Sequence, residues 1–176
     1  MFKNTCRYTL IVFLLFVSQL SYAQIGETDS LRKLLEAGRN DSAQVDLLNT
    51  LSRSYFKDNP DSAISTAMAS KKLAEKVGYQ PGLALALKNI GMVYYNQGNY
   101  LDAVKTWQQA LEVYKAMGDK IGIANMLSNE GAAYFNQGDE AKSLELHLQS
   151  LKLSEAINDT LRVLTSLTNI GAIYLN

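Results

Sequence analysis

A tripeptide of the form Asn-x-Gly returns in this chain at a constant interval, as Asn89-Ile90-Gly91, Asn129-Glu130-Gly131 and Asn169-Ile170-Gly171. Successive glycines lie 40 residues apart (131 − 91 and 171 − 131). A fixed period of this size demands supersecondary units that stack on their neighbours, because one unit alone cannot bury its apolar face. A single closed core, the usual housing of an enzyme site, does not generate it.

Other positions keep the same interval. The second unit carries Leu87, Ile90, Gly91 and Tyr94, then Ala103 and Trp107; the third carries Leu127, Glu130, Gly131 and Tyr134, then Ser143 and His147. A fourth begins with Leu167, Ile170, Gly171 and Tyr174, while the first is degenerate, with Leu47, Thr50, Leu51 and Ser54, then Ala63 and Ala67. The leucine, the following apolar slot and the tyrosine fall at i, i+3 and i+7, one face of a helix. Glycine inside a helix costs about 1 kcal/mol relative to alanine. Its recurrence implies close approach of the unit's second helix, on which Ala63, Ala103 and Ser143 offer a shallow face and Trp107 fills the gap between units.

The punctuation agrees. Asn96-Gln97-Gly98 and Asn136-Gln137-Gly138 end first helices, Gly78, Gly118 and Asn158 end second ones, and Asn59-Pro60, Asp119 and Asp159 start the next. The pattern predicts helices near 41–57, 60–77, 81–97, 100–117, 120–137, 140–157 and 160–176. A short helix near 29–37 is expected to cap the N-terminal end. The unit boundaries are about 41–80, 81–119, 120–159 and a partial 160–176, after a leader at 1–23 and a capping segment at 24–40.

The leader has the layout of a secretory signal peptide. Lys3 and Arg7 precede the apolar run Leu10 to Val17, and Ser21-Tyr22-Ala23 supplies small residues before Gln24. The apolar run falls short of the roughly 20 residues a bilayer span needs. The expectation is export, to a periplasm, with cleavage near Ala23. The sole cysteine, Cys6, precedes the run, so the mature chain holds no disulfide and cannot carry a lipid at a cysteine after it. Losing Lys3 and Arg7 from the 17 basic residues leaves 15 against 17 acidic ones, a net −2. No basic stripe points to nucleic acid.

The large residue, Leu-Gly, Tyr, then Ala and aromatic pattern resembles the tetratricopeptide repeat. That resemblance implies an all-α, right-handed solenoid of antiparallel helix pairs. The period exceeds the usual 34 residues by about 1.7 helical turns. Long units of this kind are similar to those of kinesin light chains, of bacterial peptide-sensing regulators and of exported N-terminal regions of bacterial signalling proteins. Asp29-Ser30-Leu31-Arg32-Lys33-Leu34-Leu35 resembles the opening of the last group. Asn176 falls inside the first helix of a unit, which implies a longer protein, with possible further C-terminal domains, or a partner covering the end.

Catalytic chemistry finds little support. His147 is the chain's one histidine; it occupies the slot of Trp107 and reads as a packed interhelical residue. No HExxH, GxSxG, GxxxxGK or CxxC pattern occurs, and no cofactor or metal is implied. Asn49, Asn89, Asn129 and Asn169 keep the period without a break, although asparagine is a poor helix-interior residue. In the families this chain resembles, such an asparagine lines the concave groove and bonds a bound peptide's backbone. The alternative is that each fixes the register between units; both remain open. Helical spacing adds Lys88, Met92, Tyr95 and Asn96, and Asn125, Phe135 and Asn136, to that face. The aromatic positions Tyr55, Tyr95 and Phe135 suit either groove or core. Lys88 is the one basic residue in the set, so a free C-terminal carboxylate is not the expected ligand. Glu130 stands where Ile90 and Ile170 stand, and requires either a rim position or a partner.

The function expected is an exported protein- or peptide-binding scaffold without catalysis of its own, its partner unnamed and its repeats not touching a membrane. The alternative is the periplasmic input region of a membrane-bound signalling enzyme, a sensor histidine kinase or nucleotide cyclase.

Overall fold

The computed structural model describes residues 41–175. The expected leader and the helix near 29–37 lie outside the described residues. Within them the chain forms seven helices: α1 (Ser42–Ser54), α2 (Pro60–Val77), α3 (Gln80–Asn96), α4 (Tyr100–Met117), α5 (Lys120–Asn136), α6 (Glu140–Ala156) and α7 (Thr160–Tyr174). Each packs on the next, in the all-α solenoid of helix pairs that the period implies. The largest departure from the sequence reading is at α1, which stops before the expected 57. There Tyr55 and Phe56 donate to Ser52 and Arg53 and tighten the chain into a turn.

Short polar side chains set the helix starts. Asp41, Asn59, Asn99, Asp119, Asp139 and Asp159 each accept from the backbone N–H three residues on, a contact worth about 1 kcal/mol. Helix α3 lacks such a bond and begins instead with Pro81 in its first turn. Gly98 and Gly138 turn the chain inside units two and three with φ of +75° and +81°, a region that other residues enter at a cost.

The repeated glycine of α3 and α5 has a direct cause. A Cβ on Gly91 would lie 2.3 Å from Trp107 Nε1, and one on Gly131 would lie 2.9 Å from the His147 ring. Trp107 thus packs against the α3 backbone at Gly91 and donates Nε1–H to the Lys88 carbonyl at 3.1 Å. Burying this indole contributes about 3–5 kcal/mol, more than the roughly 1 kcal/mol that a helical glycine costs. Unit one inverts the pair: Leu51 takes the glycine's place, Ala67 takes the tryptophan's, and both are buried. At the far end a Cβ on Gly171 would meet nothing within 4 Å. Leu161, Leu164 and Leu167 of α7 are half-exposed or more.

On one side of the stack α1 touches α3 and α5 touches α7, whereas α2, α4 and α6 make no comparable contact with one another. First helices therefore line the inner side and second helices the outer.

Candidate functional site

The inner face collects most of the expected groove residues, but not the asparagine column as a binding column. Asn49 and Asn89 are fully buried, at 0% exposure. Asn49 donates to the Gly82 carbonyl at 3.0 Å, and Asn89 donates to the Asn49 carbonyl at 3.1 Å. Each bond crosses a unit boundary, so these two amides lock the register of units one and two and are unreachable for a ligand. The column breaks after that. Asn129 is half-buried and makes no such bond, and Asn169 reaches Ser128 Oγ at 3.4 Å. The physical reason is spacing: α1 and α3 pack closely, while α3 and α5 do not.

The aromatic positions are divided too. Tyr55 is buried. Tyr95 packs edge-on against Tyr100 and tilted against Trp107, with ring centres 5.5 and 5.7 Å apart. Its hydroxyl stays reachable and accepts from the exposed Asn136 amide at 2.8 Å, across the boundary between units two and three. Phe135 and Met92 are half-buried, and Asn96 is exposed.

Charge assembles where the sequence pattern did not place it. Burial holds the Lys88 ammonium below its ordinary range, and the neighbouring positive charges of Arg53 and Arg162 lower it further. Positive charges on α1, α3 and α7 thus act on one another. Their positions in the repeat are not equivalent, and so no periodic signal marks them. Arg162 is held by Asn125 Oδ1, which accepts from its Nε at 2.9 Å, and by an ion pair with Asp159. Lys88 has no hydrogen-bond or ion-pair partner among the described residues. Beside Arg162 and Asn125 a cleft of about 270 Å³ opens between α5 and α7, lined also by Ser128, Leu161 and Thr165. Lys88 stays the one basic residue of the expected set, and the charges of Arg53 and Arg162 act on it from outside that set.

No group of three or more His, Cys, Asp or Glu side chains among the described residues is placed to hold a metal ion. His147 is buried and burial pushes its imidazole down, toward the neutral form.

The tetratricopeptide repeat family model matches residues 84–116, from within α3 through most of α4. With the same pattern recurring at the same interval on either side, the described residues have the fold of a tetratricopeptide-type repeat protein. Among solved structures, its fold is similar to that of a Rap protein complexed with competence and sporulation factor (16% identity, TM-score 0.75, covering 88% of this chain and 44% of that one). It is also similar to aspartyl phosphate phosphatase F from Bacillus subtilis (15%, 0.72, covering 75% and 35%). BtubC (BKLC) from P. vanneervenii is a third (17%, 0.71, covering 83% and 61%). The chain spans 35%, 61% and 44% of the first structures it matches. At these identities the likeness is one of fold. No curated protein sequence matches the chain.

Proposed function

We propose that the described solenoid is a protein- or peptide-binding scaffold of an exported protein, without catalysis of its own, and that its inner groove takes a peptide segment bearing a carboxylate. The observation that carries this reading is Lys88: a half-buried ammonium disfavoured by the charges of Arg53 and Arg162 and without an ion-pair partner among the described residues. A partly desolvated ammonium acted on by like charges is unfavourable until an anion joins it. Asn125, Asn136 and the Tyr95 hydroxyl lie on the same face and supply donors and acceptors to a backbone. The Rap protein complexed with competence and sporulation factor supports partner binding by such a fold. Export rests on the leader sequence. A second proposal, the periplasmic input region of a longer signalling enzyme, draws on the Asp29 to Leu35 opening and requires a membrane span and a catalytic domain beyond Asn176.

Fluorescence anisotropy with labelled peptides tests the groove. Acidic peptides with a free C-terminal carboxylate are expected to bind, and amidated neutral ones to bind at least about ten-fold more weakly. Lys88→Glu should remove the difference while leaving the helical circular dichroism intact. Equal binding of both peptide classes, or no effect of Lys88→Glu, would overturn the proposal.

A further inference from the structure

The outer side of the stack carries two clefts built from equivalent positions one period apart. The earlier, about 320 Å³, lies between α2, α3 and α4 and includes Met68, Leu87, Ile90 and Tyr94. The later, about 550 Å³, lies between α4, α5 and α6 and includes Gln108, Leu127, Glu130 and Tyr134 at the matching positions. Packing in the earlier cleft is satisfied by isoleucine. The later one has a carboxyl group in that place, 4% exposed, with Oε1 lacking any hydrogen-bond partner. The change is coordinated: Gln108, where the earlier cleft has Met68, hydrogen-bonds the same carboxyl. A buried carboxylate with one oxygen unpartnered is costly, and a local rule broken with its neighbour adjusted to match points to a site rather than a packing accident.

The surroundings define what fits. Leu111, Ile123, Leu127 and Leu146 form apolar walls. Lys115 and Lys142 stand at the half-exposed rim, each paired with a carboxylate of its own helix, Glu112 and Glu145, at 2.8 Å. Such exposed pairs are weak and readily exchanged. A bare acid would meet Glu130 as a like charge, and a bare polyamine would meet the two lysines. The volume is in the usual range for small-molecule sites, about 300–1,000 Å³.

We propose that this cleft binds a small amino-acid-like zwitterion, whose ammonium meets the Glu130 carboxyl, whose apolar side chain lies on the leucines and whose carboxylate meets Lys115 and Lys142. The site lies on the opposite side from the Lys88 groove and does not depend on it. A proton accompanies binding. The Glu130 carboxyl is pushed up to about 7 by burial, so at neutral pH an arriving ammonium completes its ionisation and the proton leaves to solvent. The charged groups facing Glu130 are Lys115 and Glu112 from α4 and Lys142 from α6. Tyr134 on its own helix and the neutral His147 on α6 complete the titratable neighbours.

Isothermal titration at pH 7 tests this, with alanine, valine, leucine, methionine and phenylalanine as probes, and with 3-methylbutylamine and 4-methylpentanoate as the two halves of leucine. At least one amino acid is expected to bind saturably. Each half-molecule should bind about ten-fold more weakly or not at all. The heat should vary with the buffer's ionisation enthalpy, reporting proton release. Glu130→Ile, which copies units two and four, and Glu130→Gln should abolish both binding and the buffer dependence while circular dichroism shows the helices retained. Absence of binding by every amino acid at millimolar concentration, equal binding by either half-molecule, or unchanged affinity in Glu130→Ile would each overturn the proposal.

Discussion

Replacing Glu130 by glutamine removes the ionisation that the fold opposes most. Its carboxyl, ordinarily near 4.5, is pushed up to about 7 by burial, against the opposing pull of the Gln108 hydrogen bond and the charges of Lys115 and Lys142. Below pH 4.5 the folded and unfolded chains both keep the proton, and ionisation costs nothing. From there to about pH 7 the unfolded chain releases it while the folded chain holds it, so stability falls as pH rises. Above about pH 7 the loss is constant. At about 1.4 kcal/mol per pH unit the full loss is about 3 kcal/mol, of which about 1 kcal/mol is already present at pH 5. Glu130→Gln should therefore stabilise the chain at pH 8 by about 2 kcal/mol more than at pH 5. Urea unfolding followed by circular dichroism reads the whole stack, and Trp107, the sole tryptophan, reports on unit two. His147 works in the opposite sense, since its burial favours the neutral form and stability is lost as pH falls through its ordinary value of 6.5. It is present in both proteins and cancels in the comparison. A gain that is equal at the two pH values, or a loss at pH 8, would refute the argument that this carboxyl is desolvated.

Two further contrasts follow from geometry. Gly91→Ala forces a Cβ to within 2.3 Å of the Trp107 indole and should destabilise by about 1–3 kcal/mol. Gly171→Ala, at the same repeat position with nothing within 4 Å, should gain up to about 1 kcal/mol from helix propensity; thermal melts that rank the two the other way would contradict the indole-on-backbone account. Asn89→Ala breaks a buried bond to the Asn49 carbonyl and should cost about 1–3 kcal/mol, whereas Asn129→Ala should cost less than about 0.5 kcal/mol. Equal losses in urea titrations would show that the register role extends past unit two.

The sequence was informative where chemistry is local or periodic. Helix starts at Asp119 and Asp159, stops at Gly78 and Asn158, and the pairing of helices all follow from residues within a turn of one another. The repeated glycine implies close approach, and Trp107 and His147 make it; Trp107, expected between units, does so inside its own. The caps at Asn99 and Asp139, and the close contacts of Gly82 with Val45 and Tyr79 and of Gly122 with Tyr114, were missed. The caps could have been found from the Asx-x-x spacing, but the glycine contacts involve partners outside the motif.

The asparagine column shows where a periodic pattern stops being a functional one. Four identical positions suggest one role, yet Asn49 and Asn89 are sealed between tightly packed helices while Asn129 and Asn169 are half-buried. The difference lies in how closely neighbouring first helices approach, which no single residue encodes.

By itself, then, the sequence determined the repeat class, the helix pairs and their ends, because a fixed interval of apolar faces and caps admits few other solutions. Only the tertiary structure decided which side chains meet. It brought Arg53 and Arg162 to Lys88 from non-equivalent positions, and it enclosed Glu130 between α4, α5 and α6 beside Gln108. Burial and charge at a point depend on neighbouring units stacked around it, and stacking, unlike capping, is not a property of any one stretch of chain.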